Sequence, residues 1–167
     1  MSGHGFDPVR VLRALQHRAV DFVVIGGVAA TLQGATRVTY DLDVTPSAER
    51  ANLQRLAVAL HDLGARIYVN DAVESLEFPF DAASLARAEI WNLITDAGRL
   101  DVLLAPGGAP SYDAMAKAAS RFEVADELTI AVASIDDLIR MKQAAGRDVD
   151  RQDVRDLRRV FELREGG

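Results

Sequence analysis

One stretch constrains this chain more than any other. The apolar run Phe22-Val23-Val24-Ile25 meets the pair Gly26-Gly27, and Arg37-Val38-Thr39-Tyr40-Asp41-Leu42-Asp43-Val44 follows. From Arg37 the residues alternate. Arg37, Thr39, Asp41 and Asp43 fall on one face, and Val38, Tyr40, Leu42 and Val44 on the other. Strand side chains have period two, so this spacing predicts a strand over 37–44 with both carboxylates on one side and an apolar face on a core. Carboxylate oxygens are the ligands that Mg²⁺ takes. The stretch therefore reads as half of a metal and nucleotide site. The plainer alternative is a solvated acidic face.

The glycine pair sits between a predicted strand and a short helix carrying Val28, Ala29 and Leu32, with Gly34 as its stop. Glycine lets a ligand approach the backbone, and a helix start offers free N–H groups to phosphate. A tight turn without a ligand fits the same residues. No Gly-Lys-Ser/Thr follows, which excludes a P-loop, and the third glycine of a dinucleotide fingerprint is missing.

Composition narrows the rest. The 167 residues contain 49% hydrophobic side chains, enough for the core of one domain. There is no cysteine, which removes disulfides and thiolate metal sites. The expectation is a soluble cytoplasmic chain without signal peptide or membrane partner. A net charge of -6, from 25 acids and 19 bases, argues against extensive nucleic-acid binding.

Asp7-Pro8 and the spacing of Val9, Leu12 and Leu15 predict a helix over 8–17. Thr45-Pro46 reads as a cap and first turn of a helix whose apolar face is Leu53, Leu56, Ala57, Leu60 and Leu63. Residues 66–69 read as a strand, and 70–88 as mostly loop, a partial lid. Two strands, 89–95 and 99–104, flank the short loop Asp96-Ala97-Gly98. The second carries Asp101 inside an apolar run, either as an edge residue facing water or as a third carboxylate meeting Asp41 and Asp43. A helix over 112–118 and strands over 122–124 and 128–132 follow. Ser134 to Asp137 reads as a capping box. On the helix it opens, Lys142 continues the apolar stripe of Ile135, Leu138 and Ile139. It either snorkels to water, which spacing alone favours, or reaches into a site. The last helix has Val154, Leu157 and Phe161 as its core face. Asp150 and Asp153 serve either as first-turn acids or in a site.

The set Gly26-Gly27, Arg37-x-Thr39-x-Asp41-Leu42-Asp43-Val44 and Leu100-Asp101-Val102 resembles the nucleotidyltransferase superfamily with the DNA polymerase β-like fold. Within it, the chain is similar to AbiEii-type and minimal nucleotidyltransferases. Lys142, Arg147, Asp150 and Asp153 resemble a signature of related small families. The resemblance implies an α+β fold: a mixed sheet flanked by helices, with a core over about 1–132 and a C-terminal helical pair over about 134–164. It implies an enzyme that moves a nucleoside monophosphate from an NTP to an acceptor hydroxyl on RNA, protein or a small molecule. Mg²⁺, or Mn²⁺, would be bound by Asp41, Asp43 and Asp101, with Asp101 also helping to deprotonate the acceptor. Gly26, Gly27, Arg37, Thr39 and Lys142 would hold the triphosphate, with Arg147, Asp150 and Asp153 behind them. A toxin–antitoxin setting would add a cognate antitoxin-like partner. The alternative is a nucleotide-binding or protein-interaction module of the same fold, because Gly27 stands where many members carry serine.

Overall fold

The computed structural model describes residues 5–69 and 80–167. The chain opens with α1 (Pro8–His17), where the Asp7 carboxylate accepts the Arg10 N–H and proline occupies the first turn. Strand β1 (Phe22–Ile25) runs directly into α2 (Gly26–Leu32). Next come β2 (Asp41–Pro46), α3 (Arg50–Asp62) and the two-residue β3 (Arg66–Ile67). After a short α4 (Ala82–Leu85), β4 (Ile90–Thr95) and β5 (Gly98–Leu103) form a hairpin. The remainder is α5 (Tyr112–Ala118), β6 (Ser120–Ala125), β7 (Leu128–Val132), α6 (Ile135–Ala145) and α7 (Asp148–Glu165).

The strands form one mixed sheet in the order β3-β4-β5-β2-β1-β7-β6. β1 and β2 are antiparallel, whereas β2 and β5 are parallel. The inner strands are apolar because helices cover them: Val23, Val24, Leu42, Leu100 and Val102 are completely buried. The α+β architecture with a C-terminal helical pair is as expected from the sequence.

Several local expectations are corrected. The central acidic strand begins at Asp41, not Arg37, and continues through Pro46. Residues 36 and 37 are drawn instead to α7. The N–H and hydroxyl of Thr36 both donate to Asp156 at 3.2 Å, and Arg37 donates to Asp153. Val38 and Tyr40 consequently stand in water, at 75% and 74% exposure, with no core beneath them. Thr45 and Pro46 do not start a helix. They pair with Val23 and Phe22, and α3 begins four residues later behind Glu49. Asn52 secures that turn by bonding Asp21 and Ser47 main-chain groups.

Of the 70–88 segment, read as mostly loop and a partial lid, residues 70–79 lie outside the described residues. Residues 82–85 are helical rather than loop, capped by Asp81. The Ser134 cap forms, but Asp137 turns to Arg140 instead of completing a box. Phe161 is 39% exposed and not part of the core face of α7. Val160 packs there, because bare Gly34 leaves room for its methyl groups.

Candidate active site

The sheet register brings the acids together. Asp43 is the direct cross-strand neighbour of Asp101 on β5, and Asp41 of Arg99. Parallel neighbours in register share a face, so Asp41, Asp43 and Asp101 converge at one edge of the β2–β5 pair. Each can offer an oxygen, and these oxygens lie within 4.8 Å of one another. Asp101 is the buried member, at 8% exposure, while Asp41 and Asp43 are half-buried. Thr39 steadies the cluster by donating its hydroxyl to Asp41 Oδ1 at 2.9 Å.

Crowding makes full ionisation expensive. Burial, then the Asp41 and Asp101 charges, push the Asp43 carboxyl up to about 7. Burial raises Asp101 to about 6, with Arg99 partly offsetting it. Lys142 and Arg147 act on Asp43 in the opposite direction. The cluster fits a hard divalent cation on its own chemistry. All donors are carboxylate oxygens, and Asp101 Oδ1 is buried without a hydrogen-bond partner among the described residues.

The glycine pair has a defined steric purpose. Gly26 has φ +69°, and a Cβ there would run into the Asp43 carboxylate. At Gly27 a Cβ would lie 2.5 Å from Arg37 Nη2 and 2.9 Å from Thr39 Oγ1. The bare helix start thus seats the acidic strand and its preceding loop. A serine at Gly27 would displace Arg37.

Beside Asp43 and Gly26 lies a cavity of about 300 Å³. Ile25, Leu103, Leu138 and Met141 give it apolar walls, while Asp43, Lys142, Arg147 and Asp150 make its polar end. Lys142 does not snorkel. It is 6% exposed, with Nζ 2.7 Å from Asp153 Oδ2 and 3.9 Å from Asp150 Oδ1. Asp153 is fully buried and also accepts from Arg37 Nη1 at 3.0 Å. Asp150 receives the Arg147 guanidinium at 2.7 and 3.1 Å and the Arg147 N–H at 3.1 Å. Burial opposes the Asp150 charge, but these bonds hold its carboxyl below the ordinary value. The Asp150 hydrogen bond in turn raises Arg147. Two α7 acids therefore array three cations, Arg37, Lys142 and Arg147, around the carboxylate cluster.

Sequence reasoning missed Arg99. Its guanidinium lies 4.2 Å over the Tyr68 ring and 3.7 Å from Asp101 Oδ1. Its position two residues before Asp101, on the same face, was the available signal.

A mixed sheet that sets three carboxylates from two strands beside a glycine-started helix defines the nucleotidyltransferase class. Comparison with known proteins narrows this. The model of the aminoglycoside-2''-adenylyltransferase family matches residues 9–159, and the chain belongs to that family. It is a nucleotidyltransferase. Among solved structures, the lincosamide antibiotic adenylyltransferase LnuA, lincomycin-bound, is similar at TM-score 0.63 and 15% identity, covering 93% of this chain and 99% of that one. ANT(2'')-Ia in complex with adenylyl-2''-tobramycin has TM-score 0.55 and 18% identity, with 95% and 93% covered. An antigenic nucleotidyltransferase-like protein from Paracoccidioides brasiliensis has TM-score 0.52 and 16% identity, with 92% and 73% covered. No curated protein sequence matches. These comparisons lend no support to the antitoxin-like partner. No helix among the described residues is long and apolar enough to cross a membrane.

Proposed function

We propose that this chain transfers AMP from ATP to a hydroxyl of a small-molecule acceptor, with Mg²⁺ or Mn²⁺ held by Asp41, Asp43 and Asp101. The observation that carries this reading is the register of Asp43 against Asp101 beside Gly26 and the cavity. The family and the small-molecule acceptors named for two structural neighbours support it. The bound cations would supply charge neutralisation at the transferred phosphoryl group and the leaving oxygen.

The chain's own residues do the positioning. Ile25, Leu103, Leu138 and Met141 accept the apolar faces of the nucleoside. Lys142 and Arg147 face its phosphates from the polar end, held by Asp153 and Asp150. Gly26 leaves the backbone bare at the mouth of the cavity. Asp101 Oδ1 accepts the proton of the attacking hydroxyl, a role suited to a carboxylate raised by burial. Positioning and charge placement do most of the work in such transfers.

Incubation with α-labelled ATP, Mg²⁺ and a panel of hydroxyl acceptors tests this directly. The expected result is labelled product from the wild type and at least about a hundredfold less from Asp43→Asn. Equal labelling by the variant would refute the site.

A further inference from the structure

The two C-terminal helices border a groove that adenylyl transfer leaves unused. It holds about 380 Å³, between Lys142 and Gln143 of α6 and Arg151, Val154, Arg155 and Arg158 of α7. Lys142 also borders the nucleotide cavity, so the two hollows meet on it. Positions four and seven apart return to one side of a helix, which sets the three arginines in a row about 10 Å long.

The aspartates of α7 do not cancel this row. Asp150 is taken by Arg147, and Asp153 by Lys142 and Arg37. Asp156 accepts from the Thr36 N–H and from Gln152. Asp148 does reach the row, 2.9 Å from Arg151, which also donates to the Gly146 carbonyl at the end of α6. Arg155 meets only the neutral Gln152 oxygen, at 2.6 Å, and Arg158 has no ion pair or side-chain hydrogen bond among the described residues. No acid lines the groove among the described residues, although the chain carries a net charge of -6. Like charges three and four residues apart on a helix repel, so Arg158 costs the helix something and returns no contact. Guanidinium groups grip phosphate oxygens in pairs. Val154 is the one apolar side chain in the lining, so little there would seat a base. The chemistry favours a compact anion with adjacent phosphates.

We infer that this groove is a second anion site, separate from the nucleotide cavity, and that it takes free pyrophosphate. The groove's preference for adjacent phosphates stands on its own residues. The choice of pyrophosphate over the tail of a second nucleotide rests on the adenylyl-transfer reading, which releases pyrophosphate across Lys142.

Calorimetry on the full chain tests it, with the nucleotide cavity filled by Mg²⁺ and a non-hydrolysable ATP analogue and Mg²⁺ matched in both solutions. Pyrophosphate should bind at one further site. Arg155→Gln with Arg158→Gln should weaken that binding about tenfold or more. Arg158→Gln alone, which removes no side-chain bond within the chain, should weaken it severalfold. Arg159→Gln, beside the groove but not lining it, should leave it unchanged, and all these variants should keep the affinity for the analogue. ADP should bind the groove no more tightly than pyrophosphate. Absence of a further site, indifference to Arg158→Gln, or an equal loss in Arg159→Gln would overturn the groove. Tighter binding of ADP would overturn pyrophosphate as its occupant. Failure of the analogue itself to bind would overturn the adenylyl-transfer reading and the choice of pyrophosphate with it, while the same variants titrated without the analogue would still decide the groove.

Discussion

Asp43 is the residue on which protonation, fold and the proposed metal site meet. Its carboxyl lies near 7 in the folded chain and near 3.8 when unfolded. A raised carboxylate binds more protons folded than unfolded, so its contribution to stability is full below about pH 4 and fades as the pH rises through 7. The metal-free protein should therefore lose melting temperature between pH 5 and pH 8, and Asp43→Asn should flatten that slope. Mg²⁺ competes with those protons, so its stabilising shift in melting temperature should be larger at pH 8 than at pH 5.5. Adenylyl transfer by Asp43→Asn should fall about a hundredfold or more, the scale of losing one preorganised electrostatic group. Gly26→Ala is a sharper steric test. A Cβ there meets the Asp43 carboxylate on a backbone with positive φ. The change should cost more than about 1 kcal/mol in urea unfolding and abolish transfer.

At the scale of elements, α7 does what its sequence does not announce. Its acids read as first-turn residues by position, yet Asp153 is buried between Lys142 and Arg37 from two other elements. Removing one partner of a buried ionic group leaves the others uncompensated. Asp153→Asn should cost about 3–5 kcal/mol in denaturant unfolding and weaken nucleotide binding through a displaced Lys142. The same contact explains why the start of β2 could not be read locally. The alternation from Arg37 to Val44 is a fair strand pattern, but Asp153 lies 116 residues away and pulls Arg37 off the sheet. By contrast, β1, the β4–β5 hairpin and α1 were legible, because apolar runs, a short glycine-containing turn and a proline cap act within a few residues, although Gly98, read as loop, opens β5. Lys142 misled for the opposite reason. Its place on an apolar stripe favours snorkelling until a buried carboxylate from the next helix is supplied.

Across the whole molecule, the sheet order is what makes a site from scattered aspartates. Parallel pairing of β2 with β5 places Asp43 beside Asp101, and antiparallel pairing of β1 with β2 places Ile25 beside Asp43. The three acids were legible in the sequence as separate signals, whereas their register needed the tertiary structure. The central claim is that these carboxylates jointly hold divalent cations next to the nucleotide cavity. Titration of Mn²⁺ into the protein, followed by electron paramagnetic resonance with and without a non-hydrolysable ATP analogue, measures this most directly. The account predicts Mn²⁺ bound by the wild type, bound more tightly with the analogue present, and lost in Asp43→Asn. Mn²⁺ binding that is undiminished in that variant, or indifferent to the analogue, would contradict it.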